Sequence, residues 1–246
     1  MSRTVAIVLA AGQGKRMNSS CKKQYMLLRE KPLLYYSLKV FQDSFVDDII
    51  LVVNAGEEEQ VHRDIVEYYQ FNKVAAVVSG GKERYHSVAA GLKAADRIIL
   101  KKADDYSYCF IHDSARPFLT RTVLERSYEE VQKYRACVVG MPVKDTVKVA
   151  DESGYVDYTP RRDLVWAVQT PQVFEYQLVY RAYKDLLEKE EKTLADGISI
   201  TDDAMVVETF TNSRVRLVEG SYNNIKITTP EDLITAERIL DSIRLK

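Results

Sequence analysis

The chain has 246 residues, enough for one large α/β domain with a sizeable core. Its 35 basic and 36 acidic residues leave a net charge of −1, so no global field favours nucleic acid or an anionic membrane, and basic residues that meet a ligand must act locally. No apolar run approaches the roughly 20 residues that span a bilayer, and the N-terminus enters a strand without a signal-peptide pattern, which predicts a soluble cytoplasmic protein.

Residues 5–9 open with the β-branched formers Val5, Ile7 and Val8 in an unbroken apolar run, which predicts a strand buried on both faces of a parallel sheet. In the loop that follows, Ala10, Ala11, Gly12 and Gly14 are small enough for backbone N–H groups to close around an anion. The loop then turns basic at Lys15, Arg16, Lys22 and Lys23. A dinucleotide fingerprint needs glycine where Met17 stands, and a P-loop needs Ser or Thr where Arg16 follows Gly14-Lys15. The stretch therefore reads as a third kind of phosphate-binding loop, with a solvated tight turn as the plainer alternative.

Pro32 starts a helix reaching about residue 42, with Leu33, Leu34, Ser37, Leu38 and Phe41 on one face. A strand at 48–53 precedes a helix over 57–69, whose Glu57-Glu58-Glu59 start reads as solvated and suits the positive end of the dipole; a third strand follows at 74–78. Residues 79–84, Ser-Gly-Gly-Lys-Glu-Arg, form a second small-residue loop with positive charge, ahead of a helix at 86–95. The fourth strand, 108–112, ends in Asp113-Ser114-Ala115-Arg116-Pro117; Thr120 caps a helix to Tyr134, and 137–143 is the fifth strand. This alternation predicts a doubly wound, mostly parallel Rossmann-like sheet with helices on both faces, in a single domain over 1–246. The loops after strands one, three and four then share its carboxyl edge, where such sheets bind ligands. Asp113 at that edge is placed to orient a metal, a ribose or substrate hydroxyls, against the plainer role of a turn cap.

Alternating Val147, Val149, Tyr155, Val156 and Tyr158 around Asp151-Glu152-Ser153-Gly154 predict a hairpin within a segment at about 143–165. An isolated hairpin is unstable in water, so it either folds back on the sheet or protrudes as an arm embracing a second subunit. Helical pattern resumes at 175–188, and 189–192 reads as a solvated end or loop. Thr201 caps a helix across 202–208, the final strands are 214–218 and 225–227, and Thr229-Pro230-Glu231-Asp232 starts the last helix. Cys109 and Cys137 read as small buried hydrophobes and Cys21 as partly exposed, while His62, His86 and His112 are too scattered for a metal site.

The A-A-G-x-G-x-R-M loop followed by Lys23-Gln24-Tyr25 resembles the nucleotidyltransferases that activate sugars and alcohols with a nucleoside triphosphate. Gly80-Gly81-Lys82-Glu83-Arg84, Asp113-Ser114-Ala115-Arg116-Pro117, Pro142-Val143-Lys144-Asp145-Thr146, Trp-Ala-Val-Gln-Thr-Pro-Gln at 166–172, Ile200-Thr201-Asp202 and the run 220–233 follow in order. Together they resemble the 2-C-methyl-D-erythritol 4-phosphate cytidylyltransferase family of the non-mevalonate isoprenoid pathway, over nearly the whole chain.

The resemblance implies attack of an acceptor phosphate on the α-phosphorus of CTP, with Mg²⁺ or another divalent cation held mainly by the CTP phosphates and Asp113 a candidate ligand. It implies Arg16, Lys23 and Lys226 as the catalytic cations. CTP would meet Ala10, Ala11, Gly12, Gly14, Lys15, Gly80, Gly81, Lys82, Arg84, Ser87, Asp113 and Ser114. The acceptor would meet Asp113, Arg116, Thr146, Arg162, Thr170, Thr201 and Lys226, with Thr146 reaching across a homodimer. Ribitol 5-phosphate cytidylyl transfer is the nearest rival, and a non-catalytic nucleotide-sensing module is the rival of another class. Two departures stand out: Lys22 replaces the family's proline, which predicts a more mobile loop end, and Arg161 beside Arg162 leaves the arm arginine open.

Overall fold

A computed structural model describes residues 3–12, 22–102 and 106–244. The chain begins with β1 (Arg3–Leu9), a short hairpin of β2 (Leu27–Leu28) and β3 (Lys31–Pro32), α1 (Leu33–Gln42) and β4 (Asp48–Val53). It continues through α2 (Glu58–Val61), a π-helical turn at His62–Glu67, β5 (Val74–Ser79), α3 (Arg84–Lys102), β6 (Tyr106–Asp113), α4 (Arg121–Tyr134) and β7 (Ala136–Pro142). The last third holds β8 (Val149–Ala150), β9 (Val156–Tyr158), β10 (Trp166–Glu175), α5 (Tyr176–Glu188), α6 (Glu190–Ala195), α7 (Asp203–Phe210), β11 (Arg216–Glu219) and α8 (Pro230–Arg244).

The central sheet has seven strands in the order β11-β7-β10-β6-β1-β4-β5. It is mostly parallel, as expected; β10 alone runs antiparallel, against both β6 and β7. Strand β1 shows why its apolar run is unbroken. Val5, Ile7 and Leu9 enter one core with Tyr85, Val88 and Leu92 of α3 and Val179, Ala182 and Tyr183 of α5. Ala6 and Val8 enter the opposite core with Leu34, Leu38 and Phe41 of α1 and Val123, Leu124 and Val131 of α4. Each such fully buried aliphatic side chain contributes about 1.5–3 kcal/mol through removal from water. A third, smaller core joins Leu28 and Leu33 to Ala236 and Leu240 of α8. Leu9 pairs with Asp113 and Val53 with Ser79, so the loops after β1, β5 and β6 leave one edge together.

Several elements depart from the sequence expectation. Strand β10 was not anticipated, because Pro171 and three polar neighbours obscure it; its ladder with β7 breaks between Val168 and Gln172, where proline interrupts pairing. Residues 225–227 form no strand: Ile227 makes one backbone bond, N–H to Ala115 O at 2.9 Å, and buries its side chain in the third core. The charged residues 189–192 are drawn into α6, anchored by the buried Thr193. Thr201 does not cap α7; the Asp202 carboxylate does, accepting from Met205 N at 2.9 Å. Helix α3 is longer than expected at both ends because its packing on β1 and β4 outweighs the weak apolar spacing there. Across residues 143–165 only β8 and β9 pair, antiparallel and for a few residues, leaving Tyr155, Val156 and Tyr158 exposed. Cys109 and Cys137 are buried free thiols whose pKa burial raises, and Cys21 lies outside the described residues. Among the described residues no helix is long and apolar enough to cross a membrane.

Candidate active site

At the carboxyl edge the first two loops interlock. Gly80 N donates to Val53 O at 2.7 Å, and a Cβ at Gly80 would lie 2.5 Å from Ala11 Cβ and 2.7 Å from Ser87 Oγ. Only glycine allows that approach. The Ser87 hydroxyl accepts from Gly81 N at 3.2 Å and donates to Glu83 O at 3.3 Å, while Glu83 N donates to His86 Nδ1 at 3.2 Å. The loop is thus wound onto the first turn of α3. It walls a cavity of about 330 Å³ that Ala11, Gly12, Lys23, Gly81, Lys82, Arg84, Ser87, Asp113, Ser114 and Lys226 line. Of the expected CTP residues, Ala10 lies buried behind it, Gly80 supports the wall, and Gly14 and Lys15 fall outside the described residues, as does the catalytic candidate Arg16. Glu83 of the same loop lines the cavity as well, and Gln24 and Asn54, which the sequence does not single out, join it.

A second cavity of about 350 Å³ adjoins the first, and Arg84, Asp113 and Lys226 line both. It brings together Asp113, Arg116, Thr170, Thr201 and Lys226 from the expected acceptor set. It does not include Thr146 or Arg162, which sit exposed on the segment carrying β8 and β9. Arg162 donates to Lys144 O at 3.3 Å and Arg161 pairs with Asp163 at 2.6 Å.

Asp113 is the junction. Its Oδ1 accepts from Arg84 Nε at 3.1 Å and its Oδ2 from Lys226 Nζ at 2.6 Å. Burial alone would raise the carboxyl, but Arg84 and then Lys226 outweigh it and hold Asp113 well below the usual carboxylate range. The plainer role of a side-chain cap is not seen, since Arg116 N bonds the Asp113 backbone carbonyl instead. Arg116 donates to Asn224 O at 2.8 Å and Val168 O at 3.3 Å, and its buried Nε has no partner. A guanidinium held by carbonyls with a donor to spare is suited to a phosphate. Among the described residues of both cavities, Lys23, Lys82, Arg84, Arg116 and Lys226 accompany Glu83, Asp113 and Asp202, five cations to three carboxylates.

The end of the first loop is also held. The Glu57 carboxylate, expected only to solvate a helix start, pairs with Lys22 and accepts from Tyr25 OH at 2.7 Å and Asn54 Nδ2 at 3.1 Å. Lys22 has φ −65°, a value that proline also adopts. Beneath Asp113, Thr170 Oγ1 accepts from Asp113 N at 3.1 Å and faces His112 Nδ1 at 2.9 Å, while His112 Nε2 faces Arg116 O at 3.1 Å. With Nε2 carrying the proton, every bond in this chain has one donor and one acceptor.

Among the described residues no group of three His, Cys, Asp or Glu side chains could hold a metal. Among the described carboxylates Asp113 alone lines both cavities. Sequence reasoning missed the buried Asp203 and Gln172. Gln172 stands in the 166–172 motif without a role assigned to it, and the paired acids after Thr201, the signal for Asp203, look in sequence like a helix start.

Comparison with known proteins adds an independent line. A family model described as IspD: 2-C-methyl-D-erythritol 4-phosphate cytidylyltransferase matches residues 4–242. The chain is 49% identical to the 2-C-methyl-D-erythritol 4-phosphate cytidylyltransferase of Lachnoclostridium phytofermentans, over 98% of this chain and 97% of that one. It is 44% identical to the enzyme of the same name from Alkaliphilus oremlandii, over 99% and 98% of the two. Among solved structures, 4-diphosphocytidyl-2C-methyl-D-erythritol synthase from Anaerococcus prevotii superposes with a TM-score of 0.80 at 34% identity, covering 98% of this chain and 96% of that one.

The chain beneath Asp113 gives a pH signature. Burial pushes the His112 imidazole from its usual 6.5 down to about 4, so the folded state holds it neutral where the unfolded chain protonates it. Its contribution to stability is therefore complete above pH 6.5 and is lost as pH falls toward 4. Denaturant unfolding across that window is expected to show stability falling through this group by up to about 1.4 kcal/mol per pH unit. In His112→Gln the slope should flatten; a slope unchanged by the substitution would assign it to other groups.

Proposed function

The chain belongs to the 2-C-methyl-D-erythritol 4-phosphate cytidylyltransferase family, and from that premise we infer that it transfers CMP from CTP to 2-C-methyl-D-erythritol 4-phosphate. The products are 4-diphosphocytidyl-2-C-methyl-D-erythritol and pyrophosphate. The observation that carries this reading to the residues is the pair of adjoining cavities sharing Arg84, Asp113 and Lys226, one walled by the glycine loops and the other by Arg116, Thr170 and Thr201.

Two polyanionic reactants must be brought within bonding distance, so repulsion is the main obstacle. The acceptor phosphate attacks the α-phosphorus in line while the bond to the pyrophosphate oxygen breaks. Lys23 and Lys226, together with Arg16 of the first loop, offset the charge that accumulates on the α-phosphate and the leaving group. The backbone at Gly81 and Lys82 faces the cytosine and ribose, with Gly80 packed behind it on Ala11 and Ser87, and Arg84, Ser87 and Ser114 complete that lobe. Asp113 orients hydroxyls, Arg116 meets the acceptor, and Thr170 and Thr201 close its wall. Mg²⁺ bound by the triphosphate would neutralise further charge, and Asp113, whose two oxygens hold Arg84 and Lys226, would join it by exchanging one of those cations for the metal. The proposed unit is a single nucleotidyltransferase domain over 1–246. It works in the cytoplasm as a homodimer whose 143–165 arms deliver Thr146 and Arg162 to the partner's acceptor cavity. That arrangement is supported by the exposure of the apolar Tyr155, Val156 and Tyr158 and by the absence of both residues from the cavity of their own chain.

Pyrophosphate release with CTP and Mg²⁺ tests the reaction. Release is expected with 2-C-methyl-D-erythritol 4-phosphate, at least tenfold less with ribitol 5-phosphate, and none without acceptor, with Lys226→Ala lowering turnover on the order of 10²-fold. Preference for ribitol 5-phosphate would reassign the acceptor, and silence with both would contradict the reaction. Mixing inactive Lys23→Ala and Thr146→Glu subunits is expected to restore activity through hybrid dimers. No recovery after demonstrated subunit exchange would place Thr146 outside a shared site.

A further inference from the structure

Arg84 is held from two sides. Its Nε reaches Asp113 Oδ1 at 3.1 Å, while its two terminal nitrogens donate in parallel to Asp203 Oδ1 and Oδ2, both at 2.8 Å. The Asp203 side chain is completely buried at the first position of α7, where the helix dipole favours an anion, and it also accepts from Tyr183 OH of α5 at 2.5 Å. The start of α7 is fixed independently of Arg84. Gln172 of β10 accepts from Ala204 N at 2.7 Å and donates to Asp202 Oδ2 at 3.0 Å. Asp203 is therefore the fixed member of the pair, and Arg84, which sits on the nucleotide loop and lines both cavities, is aligned against it.

The consequence lies at Asp113. A guanidinium with a free fork binds a carboxylate through both oxygens. Asp203 occupies the fork of the two terminal nitrogens and fixes the plane of the guanidinium, and in that orientation Arg84 meets Asp113 through the single Nε–Oδ1 bond while Asp113 Oδ2 accepts from Lys226 at 2.6 Å. We propose that Asp203 is a positioning residue for the transfer reaction: by engaging the Arg84 fork it keeps Asp113 shared between Arg84 and Lys226, and so sets where the Lys226 ammonium stands between the two cavities. The same carboxylate ties α7, whose preceding residues Thr201 and Asp202 wall the acceptor cavity, to the nucleotide loop. A buried ion pair is not needed for stability as such, since a well-packed apolar pair can serve equally well, which is consistent with a role in geometry.

This inference rests on the proposed cytidylyl transfer. The test uses Asp203→Asn, whose amide nitrogen cannot accept from the guanidinium, alongside the wild type and Lys226→Ala. Expected is a fall of about 10²-fold in kcat/KM for the acceptor. CTP affinity, measured by calorimetry without acceptor, should shift less than about threefold, because the loop is wound by Ser87 and His86 rather than by Asp203. Because the effect passes through Lys226, the double variant should be no worse than Lys226→Ala alone within about threefold. Equal losses for CTP and acceptor, or multiplicative losses in the double variant, would make Asp203 structural and overturn the proposal, as would wild-type kinetics. Should Asp203→Asn fail to fold, Tyr183→Phe removes one bond to Asp203 without changing charge. It is expected to lower acceptor kcat/KM about three- to tenfold with CTP affinity intact, and an unchanged value would overturn the proposal. A wild-type protein inactive toward every acceptor would instead sink the underlying reaction.

Discussion

Asp113 holds Arg84 on one carboxylate oxygen and Lys226 on the other, and the rest of the site is arranged to keep that arrangement ionised and fixed. A carboxylate so deeply buried is costly unless paired on both oxygens, and a site this rich in cations would spread apart without an anion at its centre. The geometry satisfies both demands with one residue. Asp113 draws a cation from the end of the 80–84 loop and a cation from the loop before α8 to the same point, and the two cavities meet there.

The sheet supplies the rigidity this requires. Parallel strands β1, β4, β5 and β6, packed on both faces, end in register, so Ala11, Gly80 and Asp113 are delivered to one edge by elements that cannot shift independently. Antiparallel β10 adds Thr170 and Gln172 beside them, the first supporting Asp113 through its backbone N–H and the second pinning α7. The polar support under the site is satisfied from His112 through Thr170 to Asp113, whereas the buried Nε of Arg116, a residue that lines the second cavity, is left unpartnered. A donor withheld from the protein is a donor available to a ligand.

Much of this was legible in the sequence, for physical reasons that differ from place to place. Strand β1 is readable because both its faces are buried, which forces an unbroken apolar run, and Asp113 because a carboxylate at the end of such a strand has few structural uses. The glycines at 80 and 81 announce a close backbone approach, and each has a neighbour within 2.5 Å of where a Cβ would stand. Strand β10 is hidden because Gln169, Thr170 and Gln172 are buried polar residues around Pro171, beside the apolar Val173 and Phe174: Gln169 donates to Ser221 O at 2.8 Å and Gln172 reaches Asp202 and Ala204, contacts that no local pattern encodes. Asp202 and Asp203 look alike in sequence, yet one caps α7 and the other is buried against Arg84, a partner 119 residues away. Glu57 was read as solvent-facing because its partners Lys22 and Tyr25 lie in a different loop.

If one anion serves both cavities, Asp113→Asn should disturb both, and two readings on one protein check this: CTP affinity by calorimetry and kcat/KM for the acceptor phosphate. With Arg84 and Lys226 both released, the account predicts that each falls by at least about tenfold while the melting transition stays cooperative. A variant that loses only one of the two, with the other at its wild-type value, would show that the cavities are organised separately and would contradict it.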